Sequence, residues 1–169
     1  YSLAVHLYRF EEYGVPQKRW RVIGVGIRSD LDLIFAPPAP THLSPVTARQ
    51  ALAGVEKIEA NNEVPRHSEK VVQLLEAIPP GENCWHESIP KHLRLNVEKV
   101  RMSLIYRRLH PDLPSYTVVG SGGGGTHGYH FELPRALTNR ERARIQSFPD
   151  SFIFTGSPAS VRKQIGMAV

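Results

Sequence analysis

Arg19 and Arg21 stand two residues apart where an apolar run begins, a spacing that in extended backbone sends both guanidinium groups to one face. Fixed positive charge there has a chemical use, because a preorganised donor stabilises an oxygen on which negative charge develops. On spacing alone, an exposed basic edge strand is the better fit. A second constellation lies at residues 135–150. Thr138 and Glu141 have capping-box spacing, in which the hydroxyl accepts an amide of the first turn and the carboxylate reaches back to the cap amide. Pro149 is the stop signal for a helix of about ten residues. Ala143, Ile145, Gln146 and Phe148 give it a partly apolar side, and Arg140, Arg142 and Arg144 are expected to crowd basic charge onto its surface, as a phosphate backbone requires.

Several other chemistries fall away. Cys84 is the single cysteine, so an internal disulfide is excluded, and it reads as a small, partly buried side chain. His127 and His130 are too isolated to propose as metal ligands, and no Cys/His set has zinc spacing, so no metal is expected. Ser121 is followed by Gly122, Gly123, Gly124 and Gly125, but no Lys-Ser/Thr comes after them, so a nucleotide-cradling loop is not expected. A flexible hairpin loop is the plain reading.

The elements that must position these groups alternate in type. Residues 1–6 and Trp20–Ile27 pattern as strands, joined through a turn at Gly14-Val15-Pro16. They read as two late strands of an α/β sheet. Pro37, Pro38 and Pro40 mark a linker. Residues 47–58 and 68–78 read as short helices, the second with Val71, Val72, Leu74, Leu75 and Ile78 on one face. Residues 102–106 read as a strand, and residues 117–119 and 128–131 as strands flanking the glycines. A last helix starts at Ser157 with Pro158 in its first position. At 169 residues with a formal net charge of +5, the chain can bury one core and favours a polyanionic partner. No apolar run approaches the ~20 residues of a membrane span, and no signal-peptide pattern is present, so a cytoplasmic location is expected. The chain begins without Met and is expected to be part of a larger protein.

Residues 135–150 closely resemble motif IX of the DNA cytosine-5 methyltransferases, R-x-L-T-x-R-E-x-A-R-x-Q-x-F-P-D. Tyr13-Gly14-Val15-Pro16-Gln17-Lys18-Arg19-Trp20-Arg21 resembles motif VIII, Y-G-x-P-Q-x-R-x-R. Gln164-Ile165-Gly166-Met167-Ala168-Val169 resembles motif X, Q-x-G-N-A/S-V-P, with Met167 at the usual asparagine. The three follow one another in family order. The resemblance implies an α/β fold: the end of a Rossmann-like, S-adenosylmethionine-dependent methyltransferase domain (residues 1–35), a small, irregular α+β target-recognition domain (36–133) and a return to the catalytic domain (134–169).

The resemblance also implies roles. Gln17, Arg19 and Arg21 belong to the catalytic pocket, with Arg21 on O2 of a flipped cytosine and Arg19 its supporting neighbour. Thr117 and the loop Gly122, Gly123, Gly124 and Gly125, with Arg101, Arg107 and Arg108, would contact the DNA groove, and Arg140, Arg142 and Arg144 its backbone. Met167 and Ala168 would lie near S-adenosylmethionine, which is bound mainly elsewhere. The P-C nucleophile motif, the F-x-G-x-G loop and the E-N-V motif are absent. The implied function is therefore sequence recognition and part of the cytosine pocket of a bacterial restriction-modification enzyme acting on double-stranded DNA. An N-terminal catalytic half, in the same polypeptide or as a separate subunit, would complete it. A non-enzymatic DNA-binding module built on the same fold is the alternative, and the paired arginines of motif VIII argue for the enzyme.

Overall fold

The computed structural model describes residues 1–97, 102–120 and 125–168. Strand β1 (Ser2–Arg9) pairs antiparallel with β3 (Trp20–Ile27), in register from Ser2 opposite Ile27 to Arg9 opposite Trp20. A 3-10 turn at Phe10–Tyr13 ends on Gly14 at φ 84°, a conformation a side chain resists, and the chain then reverses into the ribbon. Just before β3, the two-residue strand β2 (Gln17–Lys18) leaves the ribbon and pairs in parallel with β4 (Ser115–Tyr116). That detour ties the start of the chain to residues about a hundred positions later.

The helices start where the sequence predicts, because side-chain caps are local chemistry. Thr138 caps α3 (Asn139–Ile145) and forms a full capping box with Glu141, at 3.1 Å and 2.8 Å. Ser157 caps α4 (Pro158–Met167). Helix ends are less faithful. The helix expected over residues 47–58 is α1 (Ala48–Leu52), cut short by Gly54 at φ 73°. Helix α3 stops after seven residues because Ser147, at φ 63°, turns the chain before Pro149 is reached. Only α2 (Glu69–Ala77) keeps nearly its expected length.

Two strand expectations are wrong. Residues 103–106 form a turn with Tyr106 at φ 49°, because the Tyr106 amide donates to Gly125 O at 2.8 Å and the Ile105 carbonyl accepts from Cys84 N. Residues 117–119 are irregular, and Tyr129 makes isolated bridges to Arg108 and Ala136. The glycines are therefore not flanked by a strand pair.

Three apolar clusters meet along one stretch. Ala136 belongs to the cluster of Leu75, Ile78 and Ile89; Leu137 and Ile145 to that of Ala48, Leu109 and Val118; and Ala143 to that of Phe154, Val161 and Ile165. Residues 136–145 are thus the common wall of all three cores, with Ala143 and Ile145 fully buried. Each large apolar side chain buried there contributes about 1.5–3 kcal/mol. Among the described residues, no helix is long and apolar enough to cross a membrane, and no group of three potential metal ligands occurs.

Candidate nucleic-acid interface

Gln17 is fully buried and acts as a bracket. Its amide nitrogen donates to Gln146 Oε1 at 2.8 Å and to Ile145 O at 3.4 Å, and its oxygen accepts from Val118 N at 2.7 Å. Arg19, 5% exposed, donates from Nη1 to Val118 O at 3.2 Å and from Nη2 to Gly166 O at 3.4 Å. Burial lowers its pKa, and the nearby Arg21 lowers it further. Arg21 differs from both. It is half-buried, and its one hydrogen bond among the described residues runs from Nη1 to the carbonyl of its neighbour Trp20 at 2.8 Å. Among the described residues Arg19 keeps a buried Nε without an acceptor, whereas the uncommitted N–H groups of Arg21 belong to a half-buried side chain.

The carbonyl that Arg19 uses sits where α4 crosses residues 119–120. A Cβ at Gly166 would overlap the backbone of Val119 and Gly120, and a Cβ at Gly120 would come within 2.8 Å of Lys163 O. Thr117 adds a bond from Oγ1 to Lys18 O at 2.8 Å. Residues 117–120 are therefore fixed to β2 and α4 immediately before the glycine run. Met167 is exposed and Ala168 half-buried at the end of α4. Gly125, at φ 95°, packs against Tyr106. Arg101, Gly122, Gly123 and Gly124 lie outside the described residues.

The expected basic surface of α3 is not there. Arg140 is fully buried and donates to Ala60 O, Pro149 O, Phe152 O and Asn61 Oδ1. Arg144 forms a two-pronged ion pair with Asp150, at 2.9 and 2.7 Å, and also donates to Ala53 O at 2.7 Å. Arg142 is buried and donates to the His127 carbonyl. Burial, then repulsion from Arg162, pushes its pKa down to about 10. Arg108 is likewise internal, with carbonyl partners at His130, Leu75, Ile78 and Phe131, so it does not reach a groove. Arg107, half-buried, lies over the Tyr116 ring at 5.2 Å.

Sequence reasoning passed over several of the groups that organise this region. Arg135 and Glu141 form a buried two-pronged ion pair at 2.8 and 2.7 Å. His130 accepts at Nδ1 from the amides of Glu132 and Leu133. Gln146 joins Gln17 to α4 by donating to Ile165 O at 2.9 Å. An amide on the partly apolar side of a helix was the available signal for Gln146. Its partners, 129 residues before it and 19 after, gave none.

The profile of the C-5 cytosine-specific DNA methylases matches residues 1–169. The chain belongs to that family. It is 65% identical, over its whole length, to the type II methyltransferase M.BbvI of Brevibacillus brevis, and 49% identical to the type II methyltransferase M.NgoFVII of Neisseria gonorrhoeae. It spans 46% of each of those relatives, so this methylase chain corresponds to about half their length. A solved structure described as a DNA modification methyltransferase encoded within an Escherichia coli prophage matches all of the chain and 56% of its own, with a TM-score of 0.64 at 22% identity. That likeness shows the methyltransferase fold.

Proposed function

We propose that this chain is the portion of a type II DNA cytosine-5 methyltransferase that recognises the target sequence and closes one side of the cytosine pocket. The observation that carries the reading is the division of labour in motif VIII. Gln17 and Arg19 hold three distant segments together, whereas Arg21, half-buried two residues further on, makes one hydrogen bond among the described residues and has further N–H groups to offer. A cytosine rotated out of the duplex would meet Arg21 through O2, where a fixed guanidinium stabilises the charge that develops as C6 is attacked. Thr117, Arg107 and residues 122–125 are the proposed recognition elements, since residues 117–120 deliver the chain into that run from a fixed starting point. The internal positions of Arg108, Arg140 and Arg144 assign those residues to the framework.

Met167 and Ala168 offer an exposed thioether side chain and a methyl group, which suit apolar contact with S-adenosylmethionine and leave its polar contacts to other residues. Binding of the methyl donor and the thiol nucleophile belong to an N-terminal half. Cys84 does not substitute for that nucleophile, because burial pushes its thiol up to about 11 and leaves little thiolate.

The test is transfer of label from S-adenosylmethionine to cognate duplex. The 169-residue chain alone is expected to be inert, and the chain with an N-terminal half active. In that active form Arg21→Ala is expected to lower kcat by about 10²-fold with little change in duplex affinity. Turnover within about twofold of the parent would remove Arg21 from the pocket.

A further inference from the structure

A cleft of about 500 Å³ opens between residues 63–67, α3 and α4, and Arg21 is not among its lining residues. Arg66, His67, His127, Arg142 and Arg162 line it, and Glu63 is the one acidic residue among the lining. Tyr106 and Tyr129 form part of its remaining wall. The charge is concentrated here because two of these arginines lack what every other buried arginine of this region has. Arg135 and Arg144 are neutralised by Glu141 and Asp150, and Arg140 by four oxygen acceptors. Arg142, only 3% exposed, has a single carbonyl, that of His127, and no ion pair among the described residues. Arg162 also has no ion pair there, and its Nε is buried without an acceptor.

We propose that this cleft is a phosphate-binding site, with Arg142 and Arg162 as the paired donors and Arg66 at the rim. Two guanidinium groups lining one cleft with uncommitted N–H groups match the oxygens of a phosphate, which accepts two-pronged donation from arginine. The repulsion between Arg142 and Arg162 that lowers the Arg142 pKa is what a bound dianion or diester would relieve. The aromatic wall leaves room for a sugar or base attached to that phosphate. Both arginines stand at positions the patterns of motifs IX and X leave open. The phosphate is either one in the backbone of a bound duplex, a source that rests on the DNA reading above, or that of a free nucleotide.

Inorganic phosphate and deoxycytidine monophosphate serve as probes with the protein itself, read by thermal unfolding. At roughly ten times the dissociation constant, a site of this kind is expected to raise Tm by about 3–5 °C. Arg162→Gln should abolish the rise, and Arg66→Gln, on an exposed side chain, should weaken phosphate binding about threefold with the fold untouched. Phosphate also stabilises proteins by exclusion from their surface. A rise of equal size in the parent and both variants would be that effect and would overturn the site. The duplex arm identifies the source. If Arg162→Gln also weakens duplex binding about tenfold and reduces the salt slope by about one, the phosphate is in the DNA backbone. An unchanged duplex affinity with loss of the Tm rise assigns the cleft to a free nucleotide. These thermal readings do not depend on methyl transfer, so absence of transfer from the chain assembled with an N-terminal half, alongside an intact Tm response, would sink the proposed function and leave the site standing.

Discussion

Arg140 makes no ion pair among the described residues, and four oxygen acceptors around the guanidinium make its burial tolerable. Its removal leaves backbone carbonyls of two loops unpaired in the interior. Arg140→Met is expected to lower the unfolding free energy by about 3 kcal/mol or more, measured by urea titration, and Arg140→Lys should not restore it, because three donors on one nitrogen cannot reach the same acceptors. Loss of duplex affinity with unchanged stability would instead return Arg140 to the phosphate contacts. The histidines respond to acid at the same scale. Burial lowers the pKa of His67, His127 and His130, and His67 Nε2 and His130 Nδ1 are held as acceptors of backbone amides, so protonation breaks those bonds. With folded values below the unfolded value of about 6.5, the neutral forms favour folding above that pH, and stability declines as pH falls below it. Urea midpoints are expected to drop between pH 7 and 5.5, a window above the titration of Asp150, whose pKa is itself lowered by Arg144. His130→Asn, which keeps an acceptor that does not protonate, should flatten the profile; a parent midpoint constant across that window would show that the acceptors do not control stability.

Among the elements, the crossing of α4 over residues 119–120 is the most demanding. Neither Gly120 nor Gly166 has a positive φ, so the requirement is steric. Gly166→Ala must push α4 away from the segment that enters the glycine run, moving the carbonyl that holds Arg19. A loss of about 1–3 kcal/mol is expected, together with a fall in turnover, and Gly120→Ala in the same molecule should add less than its separate cost, because one displacement serves both. Thermal melts of the two single variants and the double variant decide it, and strict additivity would contradict a shared contact. The sequence was readable here wherever the determinant was local. Thr138 with Glu141 and Ser157 with Pro158 set helix starts through neighbours no more than three residues away, and β3 was legible from its apolar run. Leu104, Ile105 and Tyr106 look like a strand for the same reason. They are a turn because their partners are Cys84 and Gly125, which no local pattern reveals. The arginines of α3 misled in the same way: charge on a helix suggests solvent unless the carbonyls that meet it are known.

On the scale of the molecule, the ribbon of β1 and β3 is unfinished. Leu3, Val5, Leu7, Trp20 and Val22 share one face, and all are exposed, Leu3 and Val22 at 69% each. A two-stranded ribbon with an apolar face is marginal until something covers it. Co-produced with an N-terminal half, the chain is expected to elute as a 1:1 complex, and alone as larger species that bind a hydrophobic dye. Val5→Lys with Val22→Lys should disperse those species and also weaken the complex. Monodisperse behaviour of the unaltered chain alone would mean that the ribbon is already satisfied.

The bond between Arg19 and Gly166 spans 147 positions of sequence. A ribosome adding about 5–20 residues per second needs roughly 7–30 s to pass from one to the other. Throughout that interval Arg21 has been made, but the support beneath it has not. The bond from Arg19 therefore cannot close until Gly166 has been made, so a nascent chain that has not yet reached α4 carries the arginines of motif VIII without this support.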